Sequence, residues 1–158
     1  DVYKRQGLWN KTSGVDQVIN CLENMSESDM AVLGFMDIDN FKSVNDTYGH
    51  ETGVFWIREV ATALQEMCGP SDIACRYGGD EYILFLQNIG DREELTARIE
   101  GFRKKIHDKA EEKGQDVHCS IGLYRVKGAG RKLAECIMIS DGLLYQAKKN
   151  GKDTYVIE

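Results

Sequence analysis

Two short acidic runs in this chain have residue types that could do chemistry. One is Asp37-Ile38-Asp39, at the end of the apolar run MAVLGFMD. Residues two apart in an extended chain face the same way, so both carboxylates would leave one side of a strand terminus. Acids at the end of a buried strand are costly unless they are solvated or bound to a cation. The other run is Asp80-Glu81, which follows Gly78-Gly79 between the strand-like segments 73–75 and 82–86. Alone, this stretch reads as a plain hairpin: paired glycines supply the positive φ of a two-residue turn, and the acids are solvated turn residues. Together, two clusters of hard oxygen ligands suit Mg²⁺ far better than zinc or copper. A cation would also let a negative site hold the phosphates of a negative ligand.

Other metal and phosphate motifs fail on inspection. A calcium loop opening at Asp37 would need glycine at Lys42 and glutamate at Tyr48. His50-Glu51 begins a zinc-protease pattern whose second histidine position is Val54. His107 and His118 have no ligand-spaced partners and read as ordinary surface or core residues. The five cysteines (Cys21, Cys68, Cys75, Cys119 and Cys136) are scattered and never form a C-x-x-C pair. They read as small buried hydrophobes in a reducing compartment, neither a disulfide frame nor a zinc site.

The elements that must position these acids follow from periodicity. With 158 residues, 42% apolar and 29% charged, the chain predicts one globular domain with a real core. Residues 15–24 place Val15, Val18, Ile19 and Leu22 on one helical face. The run 30–37 suits a central strand buried on both faces. A polar stretch follows, in which SVNDTYGHET reads equally as a loop, and then a helix over 52–67. After the hairpin at 73–86 come a long amphipathic helix over 91–112 with Asp91 as its N-cap, a strand over 117–126, a helix over 133–149 stopping at Gly151, and a short strand over 154–157. The predicted class is α/β (α+β), a central mixed sheet covered by helices.

A net charge of −6 argues against a nucleic-acid surface. No apolar run approaches the ~20 residues of a membrane span, and the chain start lacks a secretory pattern. A soluble, cytoplasmic domain without membrane contact is the expectation.

Taken in order, DIDNFKSVNDTYGHETG, RYGGDEY, CSIGL and SDGLLYQAKKNGKD resemble the GGDEF family of diguanylate cyclases, and Gly7-Leu8-Trp9-Asn10-Lys11 is similar to the end of that family's opening motif. The similarity covers residues 7–158. The six residues DVYKRQ do not fit it and read as foreign or truncated sequence. The resemblance implies a β-α-β-β-α-β core, related to nucleotidyl cyclases and polymerase palms, with an extra hairpin. It implies that two GTP condense to cyclic di-GMP across a homodimer, transient or lasting, and that a parent protein carries an upstream sensor or dimerisation domain. Two Mg²⁺ (or Mn²⁺) per site are implied, held by Asp37, the Ile38 carbonyl, Asp80 and Glu81. Gly78 and Gly79 would let backbone approach the nucleotide. Asn40, Phe41 and Lys42 would meet the β- and γ-phosphates through backbone amides and one ammonium, joined by Lys148 and Lys152, while Asn45 would contact guanine.

The chain departs from the family pattern at four places. Val54 stands where the family has an Asp that helps read guanine, and its side chain can make no hydrogen bond, so that either other groups hold guanine, or purine choice is relaxed, or the domain is a weak or silent GTP-binding regulatory module. Tyr82 replaces the final Phe of the signature; its hydroxyl needs a partner if buried. Lys152 replaces an Arg, which keeps charge but loses bidentate binding. Gly69-Pro70-Ser71-Asp72 lacks the Arg of the family's product-inhibition motif, so no feedback through that motif is expected.

Overall fold

The computed structural model describes residues 8–89 and 91–158. The DVYKRQ segment and Gly7 lie outside the described residues. The elements run α1 (Lys11–Glu23), β1 (Met30–Ile38), α2 (Phe41–Tyr48), α3 (His50–Met67), β2 (Ile73–Arg76), β3 (Glu81–Gln87), α4 (Arg92–Lys113), β4 (Cys119–Lys127), α5 (Leu133–Lys149) and β5 (Tyr155–Ile157). The sheet order is β2-β3-β1-β4-β5, so the strand bearing the first acidic run is central. All pairs are antiparallel except β4 with β5. This is a mixed sheet with the expected β-α-β-β-α-β core. Among the described residues the one hairpin is β2–β3, inside that core, so the extra hairpin expected is not present there; after the core the chain adds α5 and a single parallel strand.

Alternation along β1 divides the core. Val32, Met36 and Ile38 pack with Trp56, Val60 and Leu64 of α3 and Ile99, Phe102 and Ile106 of α4. Ala31, Leu33 and Phe35 pack with Val18 and Leu22 of α1 and Leu133 and Cys136 of α5. Each face of the sheet therefore carries a helical layer, which is why residues 31–36 are all buried.

Helix α1 starts four residues earlier than its apolar spacing indicates, because Asn10 caps it: its side chain accepts from Ser13 N at 2.8 Å. Asp91 caps α4 as expected, accepting from Glu94 N at 2.8 Å. The stretch read equally as a loop is helical. Phe41, Val44 and Tyr48 pack toward the core at i, i+3 and i+7, a sparse stripe masked by its polar neighbours. Gly49, at φ 97°, then breaks α2 from α3, a conformation side chains rarely tolerate.

Helix α5 lies unusually close to β4. A Cβ added at Gly122 would sit 2.2 Å from the Ser140 carbonyl oxygen and 2.3 Å from Leu144 N, both backbone atoms that cannot turn aside. Ser140 Oγ, buried, donates to Leu33 O at 3.0 Å and ties the same helix to β1. Gly122→Ala is expected to cost about 3 kcal/mol by overpacking, lowering Tm by roughly 10 °C. A thermal melt of the variant matching the parent would show that α5 is not held by this contact.

Candidate active site

Asp37, one residue before the end of β1, stands directly opposite Glu81, the first residue of β3. Cross-strand partners place their Cβ atoms ~5 Å apart on one face, and like charges there repel. Ile38 N donates to the Asp80 carbonyl at 3.3 Å, which brings the second acidic run to the first. Asp37, Asp80 and Glu81 thus meet at one corner of the sheet, each only half exposed.

Lys148, in the last turn of α5, reaches Asp37 Oδ2 at 2.6 Å. The other oxygen, Oδ1, is buried and has no hydrogen-bond partner. Burial pushes the Asp37 carboxyl up to about 6, against the pull of Lys148 and with a further push from Asp80 and Asp39. Asp80 is also raised, chiefly by burial. Buried carboxylate oxygen with an open lone pair is what a hard divalent ion takes as a ligand, so these residues fit Mg²⁺ or Mn²⁺. Among the described residues no group of three metal-binding side chains is gathered at one point.

Asn40, at φ 50°, turns the chain from β1 into α2 and offers the helix no side-chain cap. Its Oδ1 instead accepts from Lys152 Nζ at 2.6 Å. The first-turn amides of α2, at Phe41 and Lys42, therefore have no side-chain cap and stand beside Lys152, an arrangement suited to anions. The Lys42 side chain is 93% exposed and faces Asp46 on its own helix at 3.8 Å, so its ammonium is not drawn into this corner. Asn45, one turn on, has a buried Oδ1 without a hydrogen-bond partner. It lies against Gly53, where an added Cβ would come within 1.9 Å of that oxygen. Val54 follows on α3, half-buried and without a polar atom to offer.

The Gly78-Gly79 segment differs from the two-residue turn expected. Four residues, 77–80, link β2 to β3, and neither glycine has positive φ. The turn is closed by Tyr77 N and Gly78 N, which donate to Glu81 O at 2.7 and 3.2 Å, and braced by Arg76, whose Nη2 donates to Gly79 O at 2.7 Å and whose Nε reaches Gly78 O at 3.1 Å. Gly79 is exposed, with nothing within 4 Å of an added Cβ, so its missing side chain leaves open space beside the acids.

Asp39 leaves the acidic corner altogether. It is 2% exposed, accepts from Ser120 Oγ at 2.6 Å and from Asp153 N at 2.9 Å, and lies 2.6 Å from His118 Nδ1. Burial alone would raise its carboxyl, but the bonds from His118, Ser120 and Asp153 together hold it below the usual range. An ionised carboxylate only accepts, so His118 Nδ1 carries the proton. His118, read as an ordinary residue, is thus a built-in partner. A histidine two residues before a strand-face serine gave little signal, because its acid lies 79 positions away.

Two departures from the family pattern are absorbed locally. Tyr82 is fully buried and its hydroxyl donates to Ile57 O at 2.7 Å. The Asp72 side chain is 3% exposed, with Oδ1 taken by Gln87 N and Oδ2 by Gly69 N and Arg98.

Comparison with known proteins bears on what this corner does. The family model described as "Diguanylate cyclase, GGDEF domain" matches residues 6–154. The chain belongs to the GGDEF family. It is 35% identical over 133 residues to diguanylate cyclase DosC of Escherichia coli K12, covering 82% of this chain and 28% of DosC. To diguanylate cyclase VdcA of Vibrio cholerae it is 31% identical over 151 residues, 93% of this chain and 44% of VdcA. This GGDEF chain therefore spans less than half of either relative. Its fold is similar to the GGDEF domain of DgcB from Caulobacter crescentus in complex with c-di-GMP (TM-score 0.83, 26% identity, 95% of this chain and 91% of that one). It is equally similar to diguanylate cyclase SiaD of Pseudomonas aeruginosa in complex with its activator SiaC (TM-score 0.83, 26% identity, 97% and 60%).

The raised Asp37 carboxyl makes a prediction about stability. Between its ordinary value of 3.8 and about 6, native Asp37 holds a proton that the unfolded chain has released. Its contribution to stability therefore falls as pH rises through this window, and above about 6 its charge is a standing cost. Without divalent cations, Asp37→Asn is expected to melt above the parent at pH 8, the gain vanishing by pH 4. A variant less stable than the parent at pH 8 would mean that the Lys148 pair outweighs the burial cost.

Proposed function

We propose that residues 7–158 form a diguanylate cyclase domain, which condenses two GTP into cyclic di-GMP and releases two pyrophosphates. The observation that supports this most is the buried, unpartnered Asp37 Oδ1 beside Asp80 and Glu81, next to a helix terminus without a side-chain cap, with Lys148 at Asp37 and Lys152 at Asn40. Carboxylates for cations and amides and ammoniums for phosphates meet there on neighbouring elements.

In this reading Asp37, the Ile38 carbonyl, Asp80 and Glu81 hold two Mg²⁺ (or Mn²⁺). When bound, such ions lower the pKa of a 3′-hydroxyl and neutralise charge on a departing pyrophosphate. The chain's own residues do the binding and orientation. The Asn40–Lys42 amides, Lys148 and Lys152 grip the β- and γ-phosphates, and Lys148 exchanges Asp37 for phosphate as the nucleotide enters. Asn45 Oδ1 accepts from the base, and open space at Gly79 admits it. The 3′-oxygen of one GTP forms a bond to the α-phosphorus of the other while the bond to the β-phosphate oxygen breaks. Catalysis is chiefly positioning and charge stabilisation. Each domain binds one GTP, so a complete site needs two domains face to face, a homodimer that an upstream sensor or dimerisation segment of the parent protein would promote. No nucleic acid takes part.

Val54 supports a second reading, in which guanine is poorly discriminated and the domain joins other purines or only binds GTP. Concentrated protein with Mg²⁺ and GTP, ATP or both, followed by mass spectrometry of the products, separates these. Cyclic di-GMP alone is expected. Adenine-containing products would make Val54 a determinant of relaxed choice. No product from an artificially dimerised protein that still binds GTP would establish a silent binding module.

A further prediction concerns the turn at residues 69–72. Since Asp72 is committed to internal partners, added cyclic di-GMP is expected to inhibit an active preparation only by competing with GTP. Inhibition that GTP cannot overcome would reveal a product site this turn does not provide.

A further inference from the structure

Four non-glycine residues in the described chain have positive φ, and three converge on one place: Asn40 at 50°, Lys152 at 64° and Asp153 at 49°. Such conformations are disfavoured for side-chain-bearing residues and persist only where surroundings impose them. Two consecutive ones, in the turn joining α5 to β5, require a specific restraint. The buried Asp39 carboxylate is that restraint. Its Oδ2 accepts from Asp153 N at 2.9 Å, while Ser120 and His118 of the neighbouring strand region fix the carboxylate itself. From the outer side, Arg103 Nη2 donates to the Asp153 carbonyl at 2.6 Å and His107 Nε2 lies 2.7 Å from its carboxylate. With Asp153 fixed on both sides, the backbone from which the Lys152 side chain starts is fixed as well. Its ammonium meets Asn40 at 2.6 Å, over the uncapped start of α2.

We propose that Asp39 is a positioning residue for triphosphate binding, clamping the 151–153 turn so that the Lys152 ammonium stands at the N-terminus of α2. The proposal rests on the nucleotide-binding reading above. It assigns Asp39 a role distinct from that of Asp37: one acid faces the ligand, and the other holds the loop that supplies a cation to it. The strained backbone is accounted for, since a relaxed turn would release Lys152 to solvent and lose the order in which ammonium and amides face one anion. Ala at position 39 removes this restraint, because it offers no acceptor to Asp153 N–H, Ser120 or His118, whereas Asn keeps one oxygen for Asp153 N–H and His118 while the Ser120 hydroxyl turns to accept from its amide.

The test is a double-mutant cycle read by binding, with GTP and GMP titrated in Mg²⁺ against the parent, Asp39→Ala, Lys152→Ala and the double variant. Asp39→Ala and Lys152→Ala are each expected to weaken GTP about tenfold, and the double variant by no more than about the larger single loss, because both remove one contact. GMP has no β- or γ-phosphate and should be held within about twofold by all four. Losses that multiply in the double variant, or an equal loss for GMP, would overturn the proposal and leave Asp39 a purely structural residue. A parent that binds no GTP would instead sink the nucleotide reading itself. Should Asp39→Ala fail to fold, amide exchange in the parent still decides. Asp153 N–H is expected to be as protected as the core amides of β4, and exchange at the rate of an open turn would contradict the clamp.

Discussion

A carboxylate at the end of a strand buried on both faces is the constraint on which this structure turns. The apolar run that makes β1 the centre of the sheet also carries Asp37 into a place where its charge is poorly solvated. Burial is strong enough that one direct lysine does not restore an ordinary carboxyl. The neighbouring Asp80 and Asp39 push it up further, and Glu81 stands directly across the ladder. The corner is thus held short of electrostatic satisfaction by its own fold, and an incoming cation would relieve it.

The surrounding elements are arranged to keep that imbalance in place. Helix α5 approaches β4 closely because Gly122 has no side chain, and this delivers Lys148 to Asp37 at the helix's last turn. The turn that follows returns Lys152 to Asn40, and Asn40 spends its side chain on that lysine in place of capping α2. Positive charge and free amides therefore stand next to excess negative charge without cancelling it. A divalent cation and a polyphosphate together would satisfy both halves, whereas either one alone satisfies only one.

Much of this was legible in the sequence because it rests on local rules. The central strand, the caps at Asp91 and Gly151, and the two acidic runs followed from apolar spacing and turn chemistry, and the adjacency of the runs followed from the family resemblance. What was not legible depends on contacts between distant segments. Helix α2 was obscured because only Phe41, Val44 and Tyr48 face inward along a polar stretch. The glycine pair was expected to need positive φ, but Arg76 braces a longer turn with ordinary backbone angles. Asp37 and Asp39 look equivalent in sequence; their partners, Lys148 on one side and Ser120, His118 and the Asp153 amide on the other, separate them only once the sheet has formed.

The most direct test of the central claim is a crystal structure with Mn²⁺ and a non-hydrolysable GTP analogue, using the anomalous signal of the metal. The account predicts a metal peak within about 2.2 Å of Asp37 Oδ1, with Lys148 moved from Asp37 onto the nucleotide phosphates. A nucleotide bound elsewhere, with the Lys148–Asp37 pair intact and no metal at Oδ1, would contradict it.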